Sequence, residues 1–398
     1  MRIVRRHIRL AALAALGLGA SLLPASGAIA APAASSSAVT SIDVVATGLH
    51  APRGVVYDAD QHRVLVAEAG DWFLASGGEP CGAAERGLPF CLGHSGSVLQ
   101  YSEATGSAQR IVTGLPSASL QIDGLPVVIG LHDLTMHQGD TNLTAVFGTL
   151  GNKAYRTSLG PGGALLGQAV TITGSGKVKP FADLLSFING IYPNMEADPY
   201  GVIVGPYGTM VANAGGHFER DAAGNIVSKG NDLLNVSPSG TITEVAQFPA
   251  RPLIGDPTRV INTVPTSVVQ GPDGAFYVGE LSGAAAWDYP GEARVWRVVP
   301  GQPPTVFATG FHTIVDLAFD SQGRLIVLQT SPDPFNTAGE GELLRLEPDG
   351  SRTVLFGAGD GVLDPGGVAL VSDNVFYVTT EIASCCSIGQ LLRIQVTG

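Results

Sequence analysis

Polar side chains close short apolar runs at corresponding places along this chain: Glu68 after RVLVA, Asn213 after TMVA, Glu280 after AFYVG, Gln329 after RLIVL and, slightly shifted, Glu381 after VFYVTT. A second set opens similar runs, namely Arg53, His132, Asp133, Tyr200, Thr266 and Asp316. Carboxylate and amide oxygens gathered from separate strands are the donors that Ca²⁺ accepts. Asp133, Asp316, Glu68, Asn213 and Glu280 are therefore candidate ligands of Ca²⁺ or another divalent cation, while Arg53, His132 and Tyr200 are candidates for holding a bound molecule. The plainer alternative is that a polar residue travelling with a repeat satisfies backbone amides that would otherwise be buried unpaired. On that reading the run-closing residues bond the start of the neighbouring unit.

Other chemistry finds less support. His132 and Asp133 are adjacent on a strand, so their side chains point to opposite faces and do not form a base and its orienter. Ser95, in Gly93-His94-Ser95-Gly96, sits in a loop before a strand and not at the strand-to-helix elbow of a serine nucleophile. The GPGG stretch at 160–163 lacks the strand and helix that frame a phosphate cradle. Trp72, Phe73, Trp287, Tyr289 and Phe335 offer aromatic surface for a ligand, or a lid over a channel.

The elements that would position these residues are short strands and tight turns. With 53 glycines and 26 prolines in 398 residues, long helices are not expected. Runs beginning at Arg53, His132, Tyr200, Thr266, Val315 and Gly366 start six units, each an apolar strand, a turn and further strands. Such repetition at irregular spacing is the pattern of an all-β, six-bladed β-propeller. The last unit ends after its third strand, and an orphan strand, Ile42 to Thr47, precedes the first. That strand is expected to complete the last blade and close the ring, leaving no open edge. The propeller is expected to span 42–398. In such blades the long second-to-third loops share one face, and rigid scaffolds carry function on such loops. Asp133 and Asp316 would then face each other across the axis.

The first residues read as a secretion signal at 1–30: Arg2, Arg5, Arg6 and Arg9, an apolar stretch, and an expected cut after Ala30 in Ala28-Ile29-Ala30, with 31–41 a flexible segment. Arg5-Arg6 leaves the general and twin-arginine routes both open. No later run is uniform enough for a membrane span. The remaining chain carries 18 basic side chains (22 minus 4) against 34 acidic ones, a net of −16, which repels nucleic acid. The expectation is thus a secreted monomer. Its four cysteines, Cys81, Cys91, Cys385 and Cys386, lie where disulfides form. Cys81 pairing with Cys91, and cross-pairing with the vicinal Cys385-Cys386, both stay open.

The stretches APRGVVYDADQHRVLVAEAG, GLHDLTM, DPYGVIVGPYGTMVANAGG, NDLLNVSPSGTITEVAQFPARP, VPTSVVQGPDGAFYVGELSG, ARVWRVVPGQPPTVFATGF and PGGVALVSDNVFYVTTE resemble the ScyD/ScyE family, secreted propellers named after two members of the scytonemin biosynthesis cluster. That family is related to NHL-repeat and SMP-30-like propellers, and the resemblance runs over nearly all the chain beyond the leader. It implies an extracellular six-bladed propeller and supplies no reaction. SMP-30-like lactonases hold a catalytic divalent ion in the channel; here Arg53, Tyr200, Thr266 and Gly366 stand where that pattern has Asn or Asp. The expected function is binding of a small molecule, glycan or protein on the loop-rich face without catalysis. The alternative is a metal-dependent, lactonase-type hydrolase.

Overall fold

The computed structural model describes residues 35–71, 81–82, 90–122, 125–136, 139–254, 256–283, 291–331, 339–380 and 388–397. These residues form a six-bladed β-propeller. The innermost strands of blades 1 to 6 are Pro52–Asp58, Leu131–Met136, Pro199–Gly205, Pro265–Gln270, Ile314–Phe319 and Gly367–Ser372. Each pairs antiparallel with a second strand, and each inner strand contacts that of the next blade, the sixth contacting the first.

Aspartates set the tight turns. In blade 4, Asp273 Oδ1 accepts from Ala275 N at 3.1 Å while Gly271 N donates to Ala275 O at 2.8 Å. In blade 5, Asp320 Oδ1 accepts from Gln322 N and Arg324 N at 3.0 and 2.8 Å. A carboxylate that satisfies the turn's amides makes a reversal in two or three residues favourable.

Alternation along the strands buries apolar side chains on both faces of every blade. The resulting clusters lie between blades: Leu65, Ala67 and Val98 of blade 1 with Leu134, Ala145 and Phe147 of blade 2, then successive pairs around the ring. The circle closes where Val64, Val66 and Leu99 of blade 1 meet Tyr377 and Leu391 of blade 6. Each such fully buried large apolar side chain contributes about 1.5–3 kcal/mol, so every blade draws stability from both of its neighbours.

Ring closure is as the sequence implied. The strand Val39–Leu49 pairs antiparallel with Gly389–Val396 and supplies blade 6 with its fourth strand. This strand starts at Val39, three residues before Ile42, and Ser35–Ser36 pairs parallel with Thr353 and Val354 of blade 5. Blade 2 completes itself with Leu143–Phe147, Gln168–Ile172 and Val178–Asp183, strands whose turns lack the repeat's wording.

Several expected loops contain structure. Ser95 lies inside the strand Phe90–Ser102, not before it, because that strand and Ser107–Ile122 run on together beyond the blade and are joined by Leu125–Ile129. The blade 2 loop holds the helix Lys153–Ser158, capped by Asn152, and the blade 3 loop holds the hairpin His217–Arg220 with Ile226–Lys229. Cys81 stands opposite Cys91 in an antiparallel ladder. The Cys81 side chain and Cys385-Cys386 lie outside the described positions. Among the described residues no helix is long and apolar enough to cross a membrane.

Candidate functional site at the channel mouth

The inner strands bring Arg53, His132 and Tyr200 together from three successive blades. Arg53 Nη1 donates to the Tyr200 hydroxyl at 2.8 Å and Nη2 to Val128 O at 2.9 Å. The His132 and Tyr200 rings lie 4.7 Å apart, and the Arg53 guanidinium lies 5.5 Å from the Tyr200 centroid. Val128 belongs to Leu125–Ile129, so the extension of blade 1 reaches back over the axis to hold the arginine.

Asp198 completes the cluster; it stands two residues before Tyr200, outside the aligned strand starts, and nothing in the repeat marks it. Its Oδ1 accepts from Thr149 N at 2.8 Å and Leu150 N at 3.2 Å, and lies 3.7 Å from His132 Nδ1. That nitrogen is 3.2 Å from Pro199 O, a carbonyl that can only accept, so the imidazole proton sits on Nδ1. Burial, and then the Arg53 charge, hold the His132 pKa well below its usual value, so the ring is neutral. Burial pushes the Asp198 carboxyl up to about 6, against the pull of its amide donors and Arg53. Gly148 makes the packing possible: a Cβ there would come within 2.0 Å of His132 Cε1.

Among the described residues, two atoms in this cluster have no partner. His132 Nε2, an acceptor in the assigned tautomer, and Arg53 Nε, a donor, are buried without a hydrogen bond. Tyr200 is half-buried and connects the cluster to the surface. A group that both donates and accepts, such as a hydroxyl or a water, would satisfy the pair.

The candidate cation ligands are arranged differently. Asp133 Oδ1 accepts from Leu134 N and Oδ2 from Val202 N of blade 3, both at 2.8 Å. Asp316 repeats this geometry with Leu317 N and with Val368 N of blade 6, again at 2.8 Å. Each carboxylate therefore stitches its inner strand to the next one. Gly54 leaves room for this, since a Cβ there would fall 1.9 Å from Asp133 Oδ1. Burial raises both carboxyls, Asp316 to about 7 and Asp133 well above its usual value with the Asp316 charge adding to the rise.

The run-closing residues serve the fold, with one correction to the expectation: they bond their own blade, not its neighbour. Glu68 Oε1 accepts from His50 N at 2.8 Å, Asn213 Oδ1 from Asp198 N at 2.9 Å, and Gln329 Oε1 from His312 N at 3.0 Å. Each amide precedes the inner strand paired with that residue, because the antiparallel hairpin returns the second strand's end to the first strand's start. Glu68 also accepts from Ser97 Oγ and, at 2.7 and 2.8 Å, from Arg110. Glu280 accepts from both terminal nitrogens of Arg251, from Trp296 Nε1 at 2.7 Å and from Ser282 Oγ at 3.0 Å. Asp133, Asp316, Glu68, Asn213 and Glu280 thus have their oxygens turned to protein donors, and they do not fit a shared divalent cation. Among the described residues no group of three or more His, Cys, Asp or Glu side chains could hold a metal ion. Trp72, Trp287, Phe73, Tyr289, Phe335 and Glu381 lie outside the described residues.

No family model matches this chain, and no curated protein matches it. Solved structures do. An aldose sugar dehydrogenase from Escherichia coli, in its apo form, superposes with a TM-score of 0.52 at 12% identity over 90% of this chain and all (100%) of that one. A gluconolactonase from Xanthomonas campestris does so with a TM-score of 0.50 at 12% identity, covering 92% and 99% of the two chains. A glucose dehydrogenase from Thermus thermophilus gives 0.50 at 18% identity, covering 90% and 100%. At such identities the likeness is one of architecture, that of the gluconolactonase-like and sugar-dehydrogenase six-bladed propellers.

Proposed function

We propose that this protein is an extracellular binding propeller that takes a small hydroxylated or hydroxy-acid ligand at the channel mouth, on the face where its long loops emerge. The observation that carries this reading is the meeting of Arg53, His132 and Tyr200 from three blades, with a buried donor and a buried acceptor left unpaired among the described residues. Arg53 is the anchor, a charge fixed by Tyr200 and Val128 whose remaining Nε–H is directed to the ligand. Neutral His132 accepts from the ligand hydroxyl, and Tyr200 forms the partly exposed wall. Extracellular location rests on the leader-like first 30 residues, and the ScyD/ScyE resemblance agrees with it. A disulfide between Cys81 and Cys91 belongs to the same proposal, supported by their register.

The lactonase-type alternative needs a channel cation, and the carboxylates are engaged with backbone amides instead. The deciding experiment is calorimetric titration with gluconate, glucose and glucono-lactone, with and without Ca²⁺, alongside an assay of lactone hydrolysis. Saturable binding without turnover, lost in Arg53→Ala, is the expected result. Calcium-dependent hydrolysis would replace this reading by the hydrolase.

A further inference from the structure

Blades 4 and 5 part on the face opposite the channel-mouth site, where the tight turns lie, and leave a cleft of about 640 Å³. Its composition separates it from clefts on the same face between blades 1 and 2 (320 Å³) and blades 2 and 3 (530 Å³), whose linings contain one aromatic ring each, Tyr57 and Phe181. The blade 4–5 cleft is lined by Tyr277, Phe307 and Phe319.

Phe307 stands on the outermost strand of blade 4 and is 46% exposed. The edge-on Tyr277 ring, 4.8 Å away between centroids, holds it in place, and Tyr277 packs in turn on Phe319 at 5.1 Å. The Tyr277 hydroxyl donates to Asp273 Oδ2 at 3.2 Å, which fixes that ring. Facing these rings are half-buried groups held by part of their hydrogen-bonding capacity. Arg324 Nε donates to Asp320 at 2.7 Å; Arg352 donates from Nη1 to Gly310 O at 2.7 Å and from Nη2 to Thr309 O, with its guanidinium 4.1 Å from the Phe311 ring centroid. Glu347 Oε1 accepts from Arg345 Nε at 2.7 Å and Thr353 Oγ1 at 2.8 Å, whereas among the described residues its Oε2 has only Arg324 Nη1 at 3.5 Å. Among the described residues nothing accepts from Arg324 Nη2 or Arg352 Nε.

We infer that this cleft is a saccharide-binding site. A pyranose ring has one apolar C–H face and a rim of hydroxyls, each both donor and acceptor. The exposed Phe307 ring complements the face, and the Glu347 carboxylate beside two guanidinium groups complements vicinal hydroxyls, accepting from one and donating to the next. The polar groups are immobilised by their other bonds, so little side-chain freedom is lost on binding. The volume suits one or two sugar rings. With carboxylate and guanidinium balanced around the cleft, the sugar is a neutral one. This inference stands apart from the channel-mouth reading: it concerns other residues on the other face.

The test is an array of immobilised neutral and acidic di- to hexasaccharides, followed by titration calorimetry with the best neutral binder. Phe307→Ala should weaken binding by about tenfold, the loss of one aromatic contact of about 1.4 kcal/mol; Phe307→Trp should preserve it and Arg324→Ala should weaken it. Tyr207→Ala, at an exposed aromatic on the blade 3 turn (59% exposed), should leave it unchanged. Because Phe307 is largely exposed, its loss does not threaten the fold, and thermal denaturation of each variant verifies this. Absence of binding to any neutral saccharide would overturn the inference. So would binding that Phe307→Ala leaves intact, or binding abolished by Arg53→Ala, which would assign the sugar to the channel mouth.

Discussion

The run-closing glutamates and the channel-mouth cluster are both buried, polar and near the axis, yet their hydrogen bonding differs in kind. Around Glu68 and Glu280 every carboxylate oxygen has a protein donor. Around Arg53 and His132, one donor and one acceptor have none among the described residues. In blades 1, 3 and 5 the polar residue that recurs with the repeat answers a common need, the free amide before the inner strand, whereas Glu280 of blade 4 holds Arg251, Trp296 and Ser282 instead. Polar residues that differ from blade to blade, such as Arg53, His132 and Tyr200, answer no common need, and among the described residues Arg53 Nε and His132 Nε2 keep unpaired capacity, as does Arg251 Nε beside Glu280. Variants that exchange stability for binding, or fail to, test this division.

Glu280→Ala should have the largest effect. Glu280 is fully buried and its partner Arg251 is only 10% exposed, so truncation strands a buried cation. Burial raises the Glu280 carboxyl even against that cation, which shows how dry the site is. Breaking such a pair costs about 3–5 kcal/mol, to be read from the urea midpoint at constant slope, with ligand affinity unchanged in the surviving folded fraction. Glu68→Ala should cost less, about 2 kcal/mol by the loss of charge-assisted bonds, because Arg110 is 30% exposed and can be hydrated once released. Equal losses at the two sites would break the argument that burial of the partner decides the cost.

Arg53→Lys should show the inverse profile. The ammonium can keep one of the bonds to Tyr200 and Val128 but cannot present a planar Nε–H, so affinity for the hydroxylated probe should fall by about tenfold or more. Stability should change by less than in either glutamate variant. A variant that unfolds as readily as Glu280→Ala while binding normally would place Arg53 with the architecture.

The same division explains what could be read beforehand. Blades 1, 3, 4, 5 and 6 were legible because their hairpins share turn chemistry and a polar closing residue; blade 2 was only partly so, since Leu143–Phe147 follows a turn of different wording and a helix interrupts the return. Arg53, His132 and Tyr200 were legible as positions, because aligned strand starts must meet at an axis. That Asp133 would turn to Val202 N, or that Asp198 would join His132, was not legible. Those choices depend on side-chain torsions and on glycine-sized gaps at Gly54 and Gly148, which only the packed ring defines.

The smallest expected effect concerns pH. Burial raises the Asp316 carboxyl from its ordinary 3.8 to about 7 and that of Asp198 to about 6, so the folded state holds protons the unfolded chain has released. Their contribution to stability is complete below about pH 4 and is lost as pH rises through 6 and 7. His132 and His312 act in the opposite sense: their lowered folded pKa values make stability rise toward the ordinary histidine range of about 6.5. The bare profile therefore mixes two signs, and the difference between wild type and Asp316→Asn isolates one. The asparagine cannot titrate, so between pH 5 and pH 7 the variant should lose less stability per pH unit than the wild type, whatever its absolute midpoint. Parallel profiles would mean that Asp316 is ionised in the folded ring throughout, held by Leu317 N and Val368 N, and would set the inner-strand carboxylates beside Glu68 as fully satisfied charges.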